Sequence, residues 1–158
     1  MKHYVFIGYE DLNGNEHDIQ GEDYVLLLNH CFEYASYFSL DFFDNLPSYS
    51  KFPLDKINNL PVLRSEKCKF TDCMIRKYYK CSEEAYLILT QDFGNIFGYL
   101  WENHGGPENL TFYRNDNSVI LEVNTHEAYC ELYCLPNDDV AKILQNDGWF
   151  DYQKRKYL

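Results

Sequence analysis

The stretch THEAYCELYC, Thr125 to Cys134, places His126, Cys130 and Cys134 four residues apart, a spacing that reads either as metal ligands or as one side of a strand. In an extended chain His126, Ala128, Cys130, Leu132 and Cys134 fall on one side, and Glu127, Tyr129, Glu131 and Tyr133 on the other. A period of two therefore produces the four-residue spacing without any ion. Strand positions four residues apart are about 13 Å apart, whereas zinc holds its donors within about 2.0–2.3 Å, so collinear strand positions do not converge on one metal. The chain also lacks the paired Cys-x2-Cys knuckles of common zinc sites, its six cysteines standing at 31, 68, 73, 81, 130 and 134. The stretch is read as a strand whose thiols pack in the core. No metal and no cofactor are expected.

The neighbouring segments extend this into a sheet. Tyr86 to Thr90 and Ile96 to Trp101 flank the turn-forming Asp92-Phe93-Gly94-Asn95, and Leu110 to Arg114 and Val119 to Val123 flank Asn115-Asp116-Asn117-Ser118. Upstream, Leu27, Leu28, Cys31, Ala35, Phe38 and Phe42 recur at intervals that suit a long helix from about Glu22 to Asp44, with Glu22 and Asp23 at its positive end. Downstream, Asn137 or Asp138 can cap a helix carrying Val140, Ile143 and Leu144. Between Leu46 and Leu63 three prolines break any regular pattern, while residues 64 to 80 suit helix and strand equally. These readings give an α+β fold. An antiparallel sheet of four to six strands, mainly from residues 84–134, packs against a long helix near 22–44 and a C-terminal helix near 138–147. At 158 residues the chain has the size of one domain, spanning 1–158.

Composition narrows the function classes. The formal net charge is −11, and 15 Tyr and 11 Phe set the chain apart from disordered acidic segments. Duplex binding rests on cations that neutralise phosphates, so this balance disfavours nucleic acid and favours a basic protein partner. The N-terminus lacks the apolar core of a signal peptide, and no apolar run is long enough to cross a bilayer, so a cytoplasmic protein with reduced thiols and no membrane partner is expected. Residues 64 to 80 form an exception to the acidity, with Arg64, Lys67, Lys69, Arg76, Lys77 and Lys80 against two acids. A nucleic-acid contact through them, with Tyr78 and Tyr79, would require these cations to share a face.

No Gly-x-Ser-x-Gly elbow, phosphate loop or zincin helix is present, and adjacent His30 and Cys31 on a helix do not face one another. The candidate site is instead a binding surface. If the opposite side is buried, Glu127, Tyr129, Glu131 and Tyr133 make an acidic, aromatic stripe in which acid steers a cationic partner and Tyr holds it; the competing reading is a second buried face packed beneath the long helix. Trp101 and His104, in the loop Trp101 to Pro107, join it as candidates. In size, acidity and aromatic content the chain generally resembles the small bacterial immunity proteins, which bind and neutralise a toxin enzyme. That resemblance implies a noncatalytic inhibitor of a basic partner, and since it carries no motif, no residue role is taken from it. The alternative is a small enzyme or metal-binding protein that uses His104, His126 and the cysteines.

Overall fold

The computed structural model describes residues 1–10, 12–44, 54–69, 71, 73–97, 106–146 and 148–158, and every structural statement concerns these. The chain runs β1 (Lys2–Ile7), β2 (Tyr9–Glu10), β3 (Glu16–His17), α1 (Gly21–Tyr34), β4 (Tyr37–Phe43), α2 (Leu54–Asn58), β5 (Val62–Lys67), β6 (Met74–Lys80) and α3 (Glu83–Gln91). It continues through β7 (Glu108–Tyr113), β8 (Val119–Asn124), β9 (Tyr129–Cys134), a 3-10 turn (Ile143–Gln145), β10 (Trp149–Asp151) and β11 (Lys156–Tyr157). Nine strands form one sheet in the order β11-β10-β1-β9-β8-β7-β4-β6-β5, and β2 and β3 form a separate ribbon. All recorded strand pairs are antiparallel.

This corrects the expected architecture. The sheet has nine strands rather than four to six, and its strands come from the whole chain rather than mainly from 84–134. The long helix near 22–44 ends at Tyr34, where Ala35 N donates to Cys31 O at 2.8 Å, and residues 37–43 become β4. The misreading has a physical source. Phe38 and Phe42 are four apart, which fits both a helical face and a period of two, and the β-favouring aromatics of YFSLDFF settle it as a strand. Phe38, Leu40 and Phe42 point into the core from it.

Residues 83–91 depart from expectation in the opposite direction. They form α3 and not a strand, because Ser82 caps the helix by accepting a hydrogen bond from Ala85 N at 3.2 Å and Glu83 and Glu84 occupy its first turn. Ala85, Ile88 and Leu89 then share a buried helical face. The expected helix near 138–147 reduces to the single turn Ile143–Gln145. Asp138 caps nothing there, since its Oδ2 accepts from Leu135 N at 2.7 Å and from Arg114 Nη2 at 3.1 Å. Residues 64–80, open between helix and strand, contribute β5 and β6.

One layer of helices covers one side of the sheet. Tyr24 Oη on α1 donates to Leu89 O on α3 at 2.8 Å, and Tyr86 Oη on α3 donates to Asn29 Oδ1 on α1 at 2.6 Å, so the two helices are tied together over the core. Beneath them lie Phe6, Phe38, Phe112, Leu121, Cys130, Leu132 and Trp149, all nearly or wholly buried. At the start of β10, Gly148 has φ +115, and a Cβ there would lie 2.8 Å from the Phe6 ring, so both backbone angle and space require glycine. No helix among the described residues is long and apolar enough to cross a membrane.

Candidate functional site

A strand that faces a core on one side must show its other residues elsewhere, and here they line the side of the sheet opposite the buried face. On β9 Cys130, Leu132 and Cys134 are fully buried, whereas Tyr129, Glu131 and Tyr133 are half-buried on the open side. Register extends this row across strands. Glu131 stands opposite Glu122 on β8 and opposite Val5 on β1, Tyr129 opposite Asn124, and Tyr133 opposite His3.

Glu131 is the centre of a small polar group. The Tyr133 hydroxyl donates to its Oε2, and His3 Nε2 lies 3.4 Å from the same oxygen. Burial and the bond to Glu131 raise the Tyr133 hydroxyl above its ordinary pKa, so it remains a donor. His3 is stacked on Tyr133 at 4.5 Å and tilted against Tyr152 at 4.6 Å. Glu122 is exposed, and it faces Glu131 directly across the ladder. Like charges at directly opposite positions destabilise a sheet.

Farther across the sheet the open face becomes aromatic and then basic. Tyr37 stacks on Tyr113 at 4.9 Å, and Tyr78 approaches both at 6.0 and 5.9 Å. Tyr78 Oη donates to Glu66 Oε1 at 2.6 Å, and the Arg64 guanidinium lies 4.0 Å above the Tyr78 ring. Between the carboxylate and aromatic groups Asp41 is buried and takes a two-pronged bond from Arg76, at 2.7 Å from Nε and 2.9 Å from Nη2. Asn109 Nδ2 adds a third donor to Asp41 at 3.0 Å. Asn109 adopts φ 55, a conformation held by reciprocal bonds with Thr125, whose Oγ1 accepts from Asn109 N at 2.9 Å and whose N donates to Asn109 Oδ1 at 3.0 Å.

Of these residues Asp41, Glu66, Arg76, Tyr78 and Asn109 line a cavity of about 610 Å³, together with Glu122, Tyr129 and Glu131 and with Lys67 and Lys69 from β5 and the turn after it. At about 4.8 Å per strand, β9 and β5 stand roughly 24 Å apart. The groove is therefore polar along its length, with the carboxylates of Glu122 and Glu131 at the β8–β9 end and Lys67 and Lys69 beside the Tyr78-bound Glu66 at the β5 end. At its side Glu108 Oε2 lies 2.9 Å from His126 Nε2; burial raises the Glu108 carboxyl, and His126 works against that rise. The Cys68 thiol is pushed up to about 11, first by burial and then by the Asp41 carboxylate, so it is no ready nucleophile.

The residues expected from sequence are only partly brought together. Tyr129, Glu131 and Tyr133 share the open face. Glu127 precedes β9 in the hairpin turn, its N donating to Asn124 Oδ1 at 3.0 Å. Trp101 and His104 lie outside the described residues. His126, expected on the side of the thiols, sits exposed in the same turn, away from buried Cys130 and Cys134. The cations of 64–80 divide between faces: Arg76 is bound to Asp41, while its neighbour Lys77 lies 4.7 Å from the Phe42 ring on the core side. Sequence reasoning missed Glu122, Asp41, Asn109, Tyr37 and Tyr113, and it took Arg76 as one of a run of cations and not as the partner of a buried carboxylate. A lone acid inside the apolar run VILEV was the available signal for Glu122, and the alternation in YFSLDFF would have exposed Tyr37 and Asp41.

Compared with known proteins, the chain matches no family model, no curated sequence and no solved structure.

Proposed function

We propose that the protein is a noncatalytic binding domain whose open sheet face docks a cationic segment of another protein. The observation that carries this is the Glu122 and Glu131 pair, two carboxylates placed directly opposite each other between Tyr129 and Tyr133. Such a pair costs stability in the free protein. A lysine or arginine seated between them offsets the repulsion, and the tyrosines supply rigid contact area and faces for a cation–π contact. The net charge of −11 supports fast, salt-sensitive association with a basic partner. An inhibitor of immunity type in the cytoplasm, acting on a basic enzyme, is one protein of this description.

The groove's polarity also sets direction: the cationic part of the partner lies over β8–β9, and an acidic part can meet Lys67 and Lys69 at the β5 end. Affinity capture from the source cell's lysate, run in parallel with wild type and Glu122→Gln/Glu131→Gln, tests the reading. A protein retained by wild type at low and physiological salt and lost by the double variant supports it. Equal retention by both, or no specific protein in either, overturns it.

A further inference from the structure

Cys134 ends β9 on the buried side, and the helix layer places a histidine above it. A ring nitrogen of His30, on α1, the Cys134 Sγ and a carboxylate oxygen of Asp138, in the loop after β9, all lie within 4.8 Å of one another. His30 is only 5% exposed, and its Nε2 is buried without a hydrogen-bond partner among the described residues. Buried polar atoms are nearly always paired, since an unpaired one costs about 1–3 kcal/mol. A buried imidazole with an orphaned nitrogen, its ring beside a thiol and a carboxylate, therefore calls for a ligand that takes an electron pair from each of the three.

We propose that His30, Cys134 and Asp138 bind one zinc ion, with the fourth position taken by water. The donor set is the argument. Nitrogen, sulfur and oxygen together suit a borderline-soft ion, and the thiol argues against Mg²⁺ or Ca²⁺, which take oxygen ligands. Tetrahedral zinc with bonds of about 2.0–2.3 Å separates its donors by about 3.3–3.8 Å, so donors already within 4.8 Å need only a modest inward adjustment.

The surroundings are built for it. Both hydrogen bonds given to the Asp138 carboxylate, from Leu135 N and Arg114 Nη2, fall on Oδ2, which leaves Oδ1 for the ion. Arg114 is itself fixed by donating to Val119 O at 3.1 Å and Tyr133 O at 3.2 Å, so it is a positioning residue that holds Asp138 in place. Zn²⁺ with one thiolate and one carboxylate is formally neutral, and the adjacent guanidinium therefore meets no net charge. The ion would clasp three elements, α1, β9 and the following loop, at the point where the expected C-terminal helix fails to form. Neither His126 nor Cys130, the residues at repeating spacing with Cys134, takes part.

The test uses untagged full-length protein, treated with chelator and titrated with Co²⁺ alone and then with Zn²⁺ alone. A one-to-one Co²⁺ complex with tetrahedral visible bands and a thiolate-to-metal charge-transfer band, displaced by Zn²⁺, is expected. Cys134→Ser should remove the charge-transfer band, and His30→Ala and Asp138→Asn should each weaken Co²⁺ binding by at least ~100-fold, beyond the 10–100-fold typical of losing an outer partner. Cys130→Ser, on the same buried row, should retain the band and bind within about threefold of wild type, as expected for a thiol outside the ligand shell. Should Cys134→Ser fail to fold, Asp138→Asn on the loop and the Cys130→Ser control decide between the outcomes. Absence of a saturable one-to-one complex overturns the site, as does a complex that persists unchanged in His30→Ala and Asp138→Asn.

Discussion

The two faces of the nine-stranded sheet are made by the same strands and obey opposite rules. Under the helices, Phe38, Phe112, Leu121 and Leu132 are fully buried and pack against one another and the helix layer. On the other side the alternate residues Tyr37, Thr111, Glu122 and Glu131 carry hydroxyls and carboxylates, arranged with a like-charged pair in direct opposition. The covered face accounts for stability, since apolar area removed from water is the dominant favourable contribution. The open face contains a feature that stability alone does not favour. The difference separates residues that specify the fold from residues that can specify a partner.

Substitutions on the two faces should therefore act on different quantities. The largest effect belongs to the covered face: Phe112→Ala, removing a ring that contacts Phe38 at 5.6 Å and Phe32 at 5.4 Å, should lower unfolding free energy by about 3–5 kcal/mol in denaturant titration. Next comes the groove floor, where Arg76→Ala strands the buried Asp41 carboxylate and should cost about 3 kcal/mol. Replacing both, as Asp41→Leu with Arg76→Met, should recover most of that loss, because the penalty lies in the unpaired charge.

Glu122→Gln should go the other way, raising stability by about 0.2–1 kcal/mol through relief of the like-charge pair. A thermal melt at low salt reads this, and high salt should shrink it. Smallest is the effect of Glu108→Gln. Burial raises the Glu108 carboxyl in the folded protein, so its ionised form is penalised there and stability falls as pH rises through that raised value. The variant lacks this dependence. Its advantage should be present at neutral pH and should narrow as pH falls toward the ordinary carboxylate range, in melts recorded across pH.

The same contrast explains what was legible in the sequence. Where a strand is flanked by turns and alternates strictly, as Tyr129 to Cys134 does, the two faces separate by inspection, and the open-face tyrosines and Glu131 emerge with them. Where residues recur at four, the pattern is degenerate between helix and strand, so Phe38 and Phe42 fit the face of a helix that in the structure stops at Tyr34. In α3 the string YLILT reads as a strand when taken alone, and it is the Ser82 cap and the two acids after it, outside that string, that decide the segment. The Glu122 and Glu131 pairing and the His30, Cys134 and Asp138 cluster join positions from separate elements, and only strand register and helix docking bring them together.

The central claim, that the open face is where a cationic segment docks, is tested most directly by mapping amide NMR shifts while adding a short peptide rich in lysine and arginine. Shifts should concentrate on Glu122, Tyr129, Glu131 and Tyr133, with affinity reduced about tenfold or more in Glu122→Gln/Glu131→Gln. Shifts gathered instead at the acidic starts of α1 and α3, or an affinity unchanged in the double variant, would contradict it.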